Sequence, residues 1–391
     1  MSATILYLHG ASNPVKHRRI LDGMHRFARC VDLAVDEALI DETAPVPIGA
    51  LHRRHGAVGY VHDATGIVPG RAPQNAEAFP IVWLDPNAAP ARCAAASVEC
   101  DNAAVAEAAF RELAAGRPSM FAVVPYWDPR RRWSHERVAA FRAICARAGC
   151  RCLAFPAHGI EAPETRSARL AAWAATLPLH SAIFAVNDFT AHEIAKALLL
   201  CHRHIPTTAT LVGVDGSPDR HDIPPSPVAI TSVNVNFESA GFLAARVLAE
   251  TLAARGTGER LETRTALFGP LMVERRESTR GRGRRERFIL EAAEAIRREA
   301  CDGLTAAGLA ARFPVSRKHF ERRFREAIGH SVLDEILNIR LEGVTAYLLR
   351  RDVAIDAIAG RCGFGSEIEL RRLFRRRFGM SMTEWRARNP V

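Results

Sequence analysis

Two short stretches of this chain combine the residue types that read a DNA duplex. In 316–325, Ser316 stands ahead of a helical pattern in which Phe320 and Phe324 are four apart and share one face, leaving Arg317, Lys318, Glu321, Arg322 and Arg325 on the other. In 366–376 the arrangement recurs: Ser366 leads, Leu370 and Phe374 turn inward, and Glu367, Glu369, Arg371, Arg372 and Arg375 are left outside. An arginine can donate two hydrogen bonds to a guanine edge and a glutamate can accept from cytosine. Further cations held near phosphates release counterions from the duplex.

Each basic helix needs an element to hold it in a groove. Ahead of the first, Leu309 and Ala310 give a short helix its inner face, Pro314 breaks that helix, and Ser316 suits the next N-cap. Ahead of the second, Ile355, Ile358 and Ala359 form the inner face, and Gly363 and Gly365 flank the turn. A tight turn followed by a capped, basic-faced second helix is the helix-turn-helix arrangement, whose second helix lies in the major groove. A long helical pattern over 332–349 can join the two units. Taken singly, each piece also reads as a surface helix with a solvated arginine face; the repetition of cap, turn and inward pair favours a double reader. Charge agrees. The chain carries a net +10, and residues 274–391 hold 26 Arg or Lys against 17 Asp or Glu, so nearly all the excess lies in the last third.

The run Gly363-Phe364-Gly365-Ser366, continued by 370–379 and by Trp385-Arg386, resembles the signature of the AraC family of regulators over the last hundred or so residues. Glu369 stands where that family often has an aromatic or histidine, Met382 where it has proline, and Trp385 where it has tyrosine. The resemblance implies that outward residues early in each second helix read bases: Lys318, Glu321 and Arg322, then Glu367, Ile368, Arg371 and Arg372. Arg317, Arg325, Arg375 and Arg376 are better placed for phosphates, which position the protein without specifying sequence. Two uses stay open for Ile368, contact with a thymine methyl or packing.

Residues 1–273 alternate strand and helix patterns. Strands are expected at 4–8, 57–61, 81–84, 120–124, 152–155, 182–186, 210–214 and 229–233, with helices at 15–29, 103–115, 135–148, 166–176, 189–200 and 237–253. Such alternation implies parallel sheets covered on both faces, with ligands at the carboxyl ends of the strands. The stretches 182–216, 236–253 and 271–278 resemble the effector-binding part of LacI/GalR regulators and periplasmic sugar-binding proteins. The implied fold class is an α/β two-lobed, periplasmic-binding-protein-like sensor followed by an all-α domain with two helix-turn-helix units. Its boundaries are a sensor at 1–276, a linker at 277–287 inside the charged stretch 274–287, and the reader at 288–391. The lobes are expected to be joined by crossings near Gly116, Asn234 and Leu261. This domain order, with Arg132-Trp133-Ser134-His135-Glu136-Arg137 and Leu170-Ala171-Ala172-Trp173, resembles the xylose-responsive activators.

A sugar offers paired hydroxyls and an apolar ring face, so its site wants charged groups that bridge hydroxyls and an aromatic wall. Arg137, opening a helix after 120–124, matches the sugar-binding arginine of LacI-type sensors, and Asn13 matches a polar position of the other lobe. Asp215, Asn187 and Asp188 end strands at the cleft side, and Asp85 is a further candidate at the opposite edge. Helix capping is the other use open to Asn187 and Asp188, a turn to Asp215, and a surface ion pair to Arg137. Trp127, Trp133 and Phe189 could stack on a sugar or belong to the core, and Trp83 favours the core.

Other classes find little support. There is no G-x-S-x-G, no phosphate-binding glycine loop, and no second histidine beside His192-Glu193 to make a zinc helix, so neither an enzyme nor a cofactor or metal is expected. Nine scattered cysteines fit reduced cytosolic thiols. No apolar run is long enough to span a membrane, and the opening residues read as a strand rather than a secretory leader, so a cytoplasmic protein is expected. The expected partners are operator DNA, a monosaccharide effector, RNA polymerase and a second copy in a homodimer. The alternatives are a transport-type solute-binding protein and a regulator that answers a non-sugar molecule.

Overall fold

The structure is a computed structural model that describes residues 3–41, 44, 46–65, 79–87, 96–156, 159–201, 203–206, 208–216, 228–257, 264–279, 287–328, 330–350 and 352–389. The first lobe is built from β1 (Ala3–His9), α1 (Pro14–Val31), β2 (Leu33–Leu39), α2 (Ile48–His55), β3 (Gly59–Asp63), β4 (Ile81–Leu84) and β5 (Ala96–Cys100). The second holds α3 (Asn102–Ala114), β6 (Met120–Val124), α4 (Arg132–Arg147), β7 (Cys152–Ala154), α5 (Pro163–Thr176), β8 (Ser181–Ala185), α6 (Asp188–Leu200), β9 (Ala209–Val214) and β10 (Thr231–Val235). The chain then returns through α7 (Phe237–Thr257) and β11 (Arg264–Phe268) to the first lobe and closes the second with β12 (Pro270–Glu274).

One sheet runs β11-β5-β4-β3-β1-β2, parallel throughout, and the other runs β12-β10-β9-β8-β6-β7, parallel except for β12 against β10. Both sheets are wrapped by helices, which is why strands such as β8 are buried at every position. The lobes are crossed at Asp101, Asn236 and Gly269. Two hydrogen bonds tie these crossings together, Asp101 N–H to Phe268 O (2.7 Å) and Asn236 N–H to Gly269 O (3.0 Å). The first crossing therefore lies at Asp101 rather than near Gly116, because α3 packs on the second sheet and not the first. The third follows β11 rather than lying near Leu261, which is outside the described residues.

Helices α1 and α7 cover the first sheet and touch backbone to backbone. A Cβ on Gly23 would sit 1.9 Å from Glu238 O, and one on Gly241 would sit 1.9 Å from Ile20 O, so only glycine permits this crossing.

The last part is helical: α8 (Arg287–Glu299), α9 (Ala306–Ala310), α10 (Arg317–Ile328), α11 (Val332–Leu348), α12 (Ile355–Arg361), α13 (Glu367–Phe378) and α14 (Met382–Arg388). Phe320 and Phe324 are buried with Leu309, Ala310 and Ile289 in one core, and Leu370 and Phe374 with Ile358, Ala359 and Met382 in another. Helix α11 enters both: Val332, Ile336 and Ile339 belong to the first core, and Leu341, Val344 and Leu348 to the second. A reciprocal cap between Ser331 and Asp334 fixes its start.

The charged stretch after 274 starts inside the fold. Arg275 pairs with Glu112 (2.5 Å), Arg276 donates to Ile230 O (2.6 Å), and the fully buried Ser278 donates to Leu211 O (2.5 Å). Of the stretch 277–287, residues 280–286 lie outside the described residues. Sensor and reader touch directly as well. Arg26 of α1 pairs with Glu238 of α7 (3.3 Å) and Glu342 of α11 (3.0 Å), Arg297 of α8 pairs with Glu238 (2.6 Å), and Met272 of β12 is buried in the reader's first core.

Candidate ligand cleft and DNA-reading face

Between the lobes, at the carboxyl ends of the strands, lies a cavity of about 170 Å³, smaller than the pockets of roughly 300–1,000 Å³ that hold drug-sized ligands. The first lobe lines it with Ser12, Asn13, Lys16, Thr65 and Asp85; the second with Tyr126, Arg131, Trp133, Arg137, Asn187, Phe189 and Asp215. Phe237, just past the crossing at Asn236, closes the floor between them.

Arg137 is buried on the second turn of α4. Its Nε donates to Asn102 Oδ1 (2.8 Å) and Nη1 to Val186 O (2.7 Å), while Asp215 stands 3.8 Å from Nη1. Its guanidinium lies 5.0 Å from the Trp133 ring centre. The arginine is thus held from behind by two acceptors, with its cation shared between a carboxylate and an aromatic face. At 5% exposure Arg137 is no surface ion pair. Asn187 both caps α6, accepting from Thr190 N–H (2.9 Å), and lines the cavity. With its oxygen engaged, it has its NH2 group to offer a ligand.

Across the gap, Asn13 caps α1 by accepting from Lys16 N–H (3.1 Å). Lys16, which residue type alone did not single out, reaches Asp63 (2.6 Å) and Thr65 Oγ1 (3.1 Å) from beside the cavity. Burial alone would push the Asp63 carboxyl up. Lys16 and His17 beside it, with hydrogen bonds from Lys16 and Thr65, hold it well below the ordinary carboxylate range instead. Asp85 accepts from Cys100 N–H (2.6 Å), and burial pushes its carboxyl up to about 6 against the opposing pull of Lys16. Asn13, Asp85 and Asp215 have φ of 52°, 47° and 105°. Strained backbone of this kind persists where the surroundings over-determine it, and here three instances face one cavity.

Asp188 is a correction. It is 2% exposed and does not line the cavity. Its carboxylate accepts from Ser232 Oγ (2.7 Å), which in turn accepts from Gly216 N–H (3.0 Å), so it braces the turn carrying Asp215. As the first residue of α6 it turns toward Ser232, while its neighbour Asn187 lines the cleft. Trp133 and Phe189 join Tyr126 and Phe237 in the aromatic wall. Trp127 lies instead under the Arg166 guanidinium (5.6 Å), and Trp83 packs edge-on to His62 in the first lobe. Ser12, Thr65, Tyr126 and Arg131 were also not singled out; each follows a strand's carboxyl end, and that position was the available signal. Arg131 donates to Thr65 O, and Arg132 of α4 pairs with Glu99 of β5 (2.6 Å), so the lobes hold each other across the cleft.

On the reader, Ser316 accepts from His319 N–H (3.3 Å) and Ser366 from Glu369 N–H (3.2 Å), starting α10 and α13 as anticipated. Arg317, Lys318, Arg322 and Arg325 on α10, and Arg371, Arg372, Arg375 and Arg376 on α13, are exposed. Glu321 and Glu367 are half-buried against Arg317 (3.0 Å) and Arg371 (2.5 Å), one turn away on their own helices. Ile368 is 80% exposed, so packing within the chain is not its use. Met382 is buried in the second core, and Trp385 meets Phe374 edge-on, so these two departures from the family pattern are packing changes.

Residues 309–388 match the helix-turn-helix domain family, and residues 88–279 match the periplasmic binding protein-like domain family. The chain is 29% identical over 296 residues to the xylose operon regulatory protein of Escherichia coli K12, covering 74% of this chain and 73% of that one. It is 24% identical over 292 residues to the protein of the same description from Haemophilus influenzae Rd, covering 74% of each. Among solved structures, that of a xylose-binding transcription activator superposes with a TM-score of 0.56 at 23% identity, covering 99% of this chain and 98% of that one.

Proposed function

We infer that this chain, an AraC-type helix-turn-helix reader joined to a periplasmic binding protein-like sensor and homologous to the xylose operon regulatory proteins, is a sugar-responsive, sequence-specific transcription regulator whose effector is a pentose such as xylose. The observation that carries the sugar reading is the pairing of Arg137 and Trp133 opposite Asn13, Lys16 and Asp85 across a small cavity. A planar ring and a guanidinium stacked on it give a sugar its apolar face and a forked donor at once. Asp215 and Asp85 accept from hydroxyls, while Asn187, Asn13 and Lys16 supply polar partners from both walls. A ligand bonded to both walls favours the closed arrangement of the lobes by its differential affinity for it.

Glu238 sits one residue past Phe237, which lines the cavity, and is ion-paired to Arg297 of the reader and to Arg26, which also holds Glu342. Closure is thereby coupled to the setting of α8 and α11. In this reading two copies pair in the cytoplasm, sugar redistributes two arrangements of the dimer, and the favoured one seats the readers on adjacent half-sites beside RNA polymerase. Lys318, Glu321, Arg322, Glu367, Ile368, Arg371 and Arg372 read bases, and Arg317, Arg325, Arg375 and Arg376 hold phosphates.

Isothermal titration of the full chain with D-xylose, L-arabinose, D-ribose and D-glucose tests the sensor. Anisotropy on a duplex selected from a random pool by the same protein tests the output. Saturable pentose binding that changes DNA affinity or footprint is the expected result. Binding of none of these sugars, or DNA binding identical with and without the bound one, overturns the reading.

A further inference from the structure

Three cysteines from three separate parts of the chain meet where sensor and reader join. Cys30 lies near the end of α1, Cys301 in the turn after α8, and Cys362 immediately after α12, next to the second helix-turn-helix turn. The sulfurs of Cys301 and Cys362 are close neighbours. A Cβ placed on Gly343 of α11 would touch both, at 3.4 Å and 3.3 Å. The backbone flanking Cys301 is held by side-chain hydrogen bonds. Arg340 donates to Ala300 O (2.8 Å) and Leu304 O (2.9 Å) on either side of Cys301, and a Cβ on Gly363 would meet Cys301 O at 2.8 Å.

The pair is also asymmetric. Cys362 is fully buried, whereas Cys301 is partly exposed. The neighbouring Cys362 thiol, with Arg26 and Arg340 nearby, holds the Cys301 thiol below its ordinary value against the effect of burial; Cys362 is pushed up. Such an arrangement gives one thiol that reacts and one that resolves.

We propose that Cys301 and Cys362 form an oxidisable dithiol that a hydroperoxide converts to a disulfide, and that this bond alters DNA reading. The Cys301 thiolate attacks the peroxide: an S–O bond forms, the O–O bond breaks, and hydroxide or alkoxide leaves, taking up the proton the thiol released to become water or the alcohol. The Cys362 thiol then attacks the sulfenic sulfur: the S–S bond forms, the S–O bond breaks, and a second water leaves. The two sulfurs lose two electrons to the peroxide, and a dithiol reductant reverses the exchange.

Drawing the sulfurs to ~2.05 Å pulls the turn ahead of α13 toward the end of α8. The two reading helices then change their mutual setting, which must match successive stretches of one groove. Operator affinity falls on oxidation and returns on reduction. Arg26 couples the same spot to the sensor, since it pairs with both Glu238 and Glu342.

The test uses the full chain, reduced, then treated with stoichiometric hydrogen peroxide, alkylated and mapped by peptide mass spectrometry. Anisotropy is measured on a duplex selected from a random pool by the reduced protein. A 301–362 linkage, at least a tenfold loss of affinity and recovery with dithiothreitol are expected. C301S and C362A should keep wild-type affinity and lose the response. The Cys145 and Cys152 thiols of the sensor, which influence each other's ionisation, remain in these variants and so control for oxidation elsewhere. Should a serine variant fold poorly, as judged by its melting curve, C301A replaces it. Absence of the 301–362 peptide, unchanged affinity after it forms, or an equal response in C301S overturns the proposal.

Discussion

Replacing Arg137 with alanine isolates the sensor's chemistry from its scaffold. The side chain holds two buried acceptors, Asn102 Oδ1 and Val186 O, and stands 3.8 Å from Asp215. Leaving those acceptors unpaired costs about 1–3 kcal/mol each, so the free variant should melt earlier. The sugar response is read separately. With pentose at a hundred times its Kd, the wild type gains about 2.7 kcal/mol of stability by mass action. Losing one charge-assisted hydrogen bond removes about 1.5–3 kcal/mol of affinity. That is a rise in Kd of roughly 10- to 150-fold at 1.4 kcal/mol per factor of ten. At the same sugar concentration the gain shrinks to roughly 0.3–1.3 kcal/mol. At ~2–4 °C per kcal/mol for a domain of this size, a sugar-induced shift of ~5–10 °C drops by half or more. Differential scanning calorimetry with and without xylose measures both quantities, because each variant is compared with itself. Arg137→Lys keeps the charge but not the fork and should recover little. If Arg137→Ala shows the full sugar-induced shift, Arg137 does not hold the effector and the cleft assignment fails with it.

Three further outcomes follow from other parts of the molecule. The Asp85 carboxyl, raised by burial to about 6 from its ordinary 3.8, favours the folded apo protein when protonated. That contribution is complete below the unfolded value and is lost as pH rises through about 6. Sugar affinity runs the opposite way, since only the ionised group is a pure acceptor. Titration between pH 5 and 8 should show affinity rising with pH, and Asp85→Asn should flatten it; His17 and His62, lowered by burial to about 4, titrate below that window. On the reader, Arg322→Ala should cost about 1–3 kcal/mol and relax one base position, whereas Arg375→Ala should weaken all sequences alike and reduce the salt slope by about 1. A binding-site selection on each variant distinguishes the two, and a uniform loss for Arg322→Ala would move that residue to the phosphate class. Gly23→Ala offers a sharp sign test: helix propensity alone would stabilise by about 1 kcal/mol. The approach of Glu238 O to 1.9 Å of the new Cβ must instead force α1 and α7 apart, so a net loss in urea melts is expected.

The reader was legible in the sequence because its signals are local. A cap, a turn and two inward apolar residues four apart specify each unit within about twenty-five residues, and Phe320, Phe324, Leu370 and Phe374 are buried where that pattern puts them. The sensor's class was legible from alternating patterns, and strands β4 and β6 run over the residues expected. Strand β2 was missed because its LAVDEAL sequence, lying at a sheet edge, is half exposed and polar enough to resemble a helix. Strands β5 and β11 are short and mixed, and their pairing joins residues far apart in sequence. In the cleft, residues at strand ends could be named, but which way each side chain points depends on the pleat and on the next helix turn. Asn187 and Asp188 are adjacent, yet one faces the cavity and the other braces Ser232. Lys16 went unnoticed because its partner Asp63 is brought to it only by the pairing of β1 with β3.

Met272 sits three residues beyond Gly269, the last crossing, and its side chain is buried among reader residues that include Phe320 and Phe324 of α10. The first reading helix therefore rests on a strand of the second lobe, so sensor and reader are joined by packing as well as by the chain. A shift of that strand meets the first reading helix directly, through packed side chains.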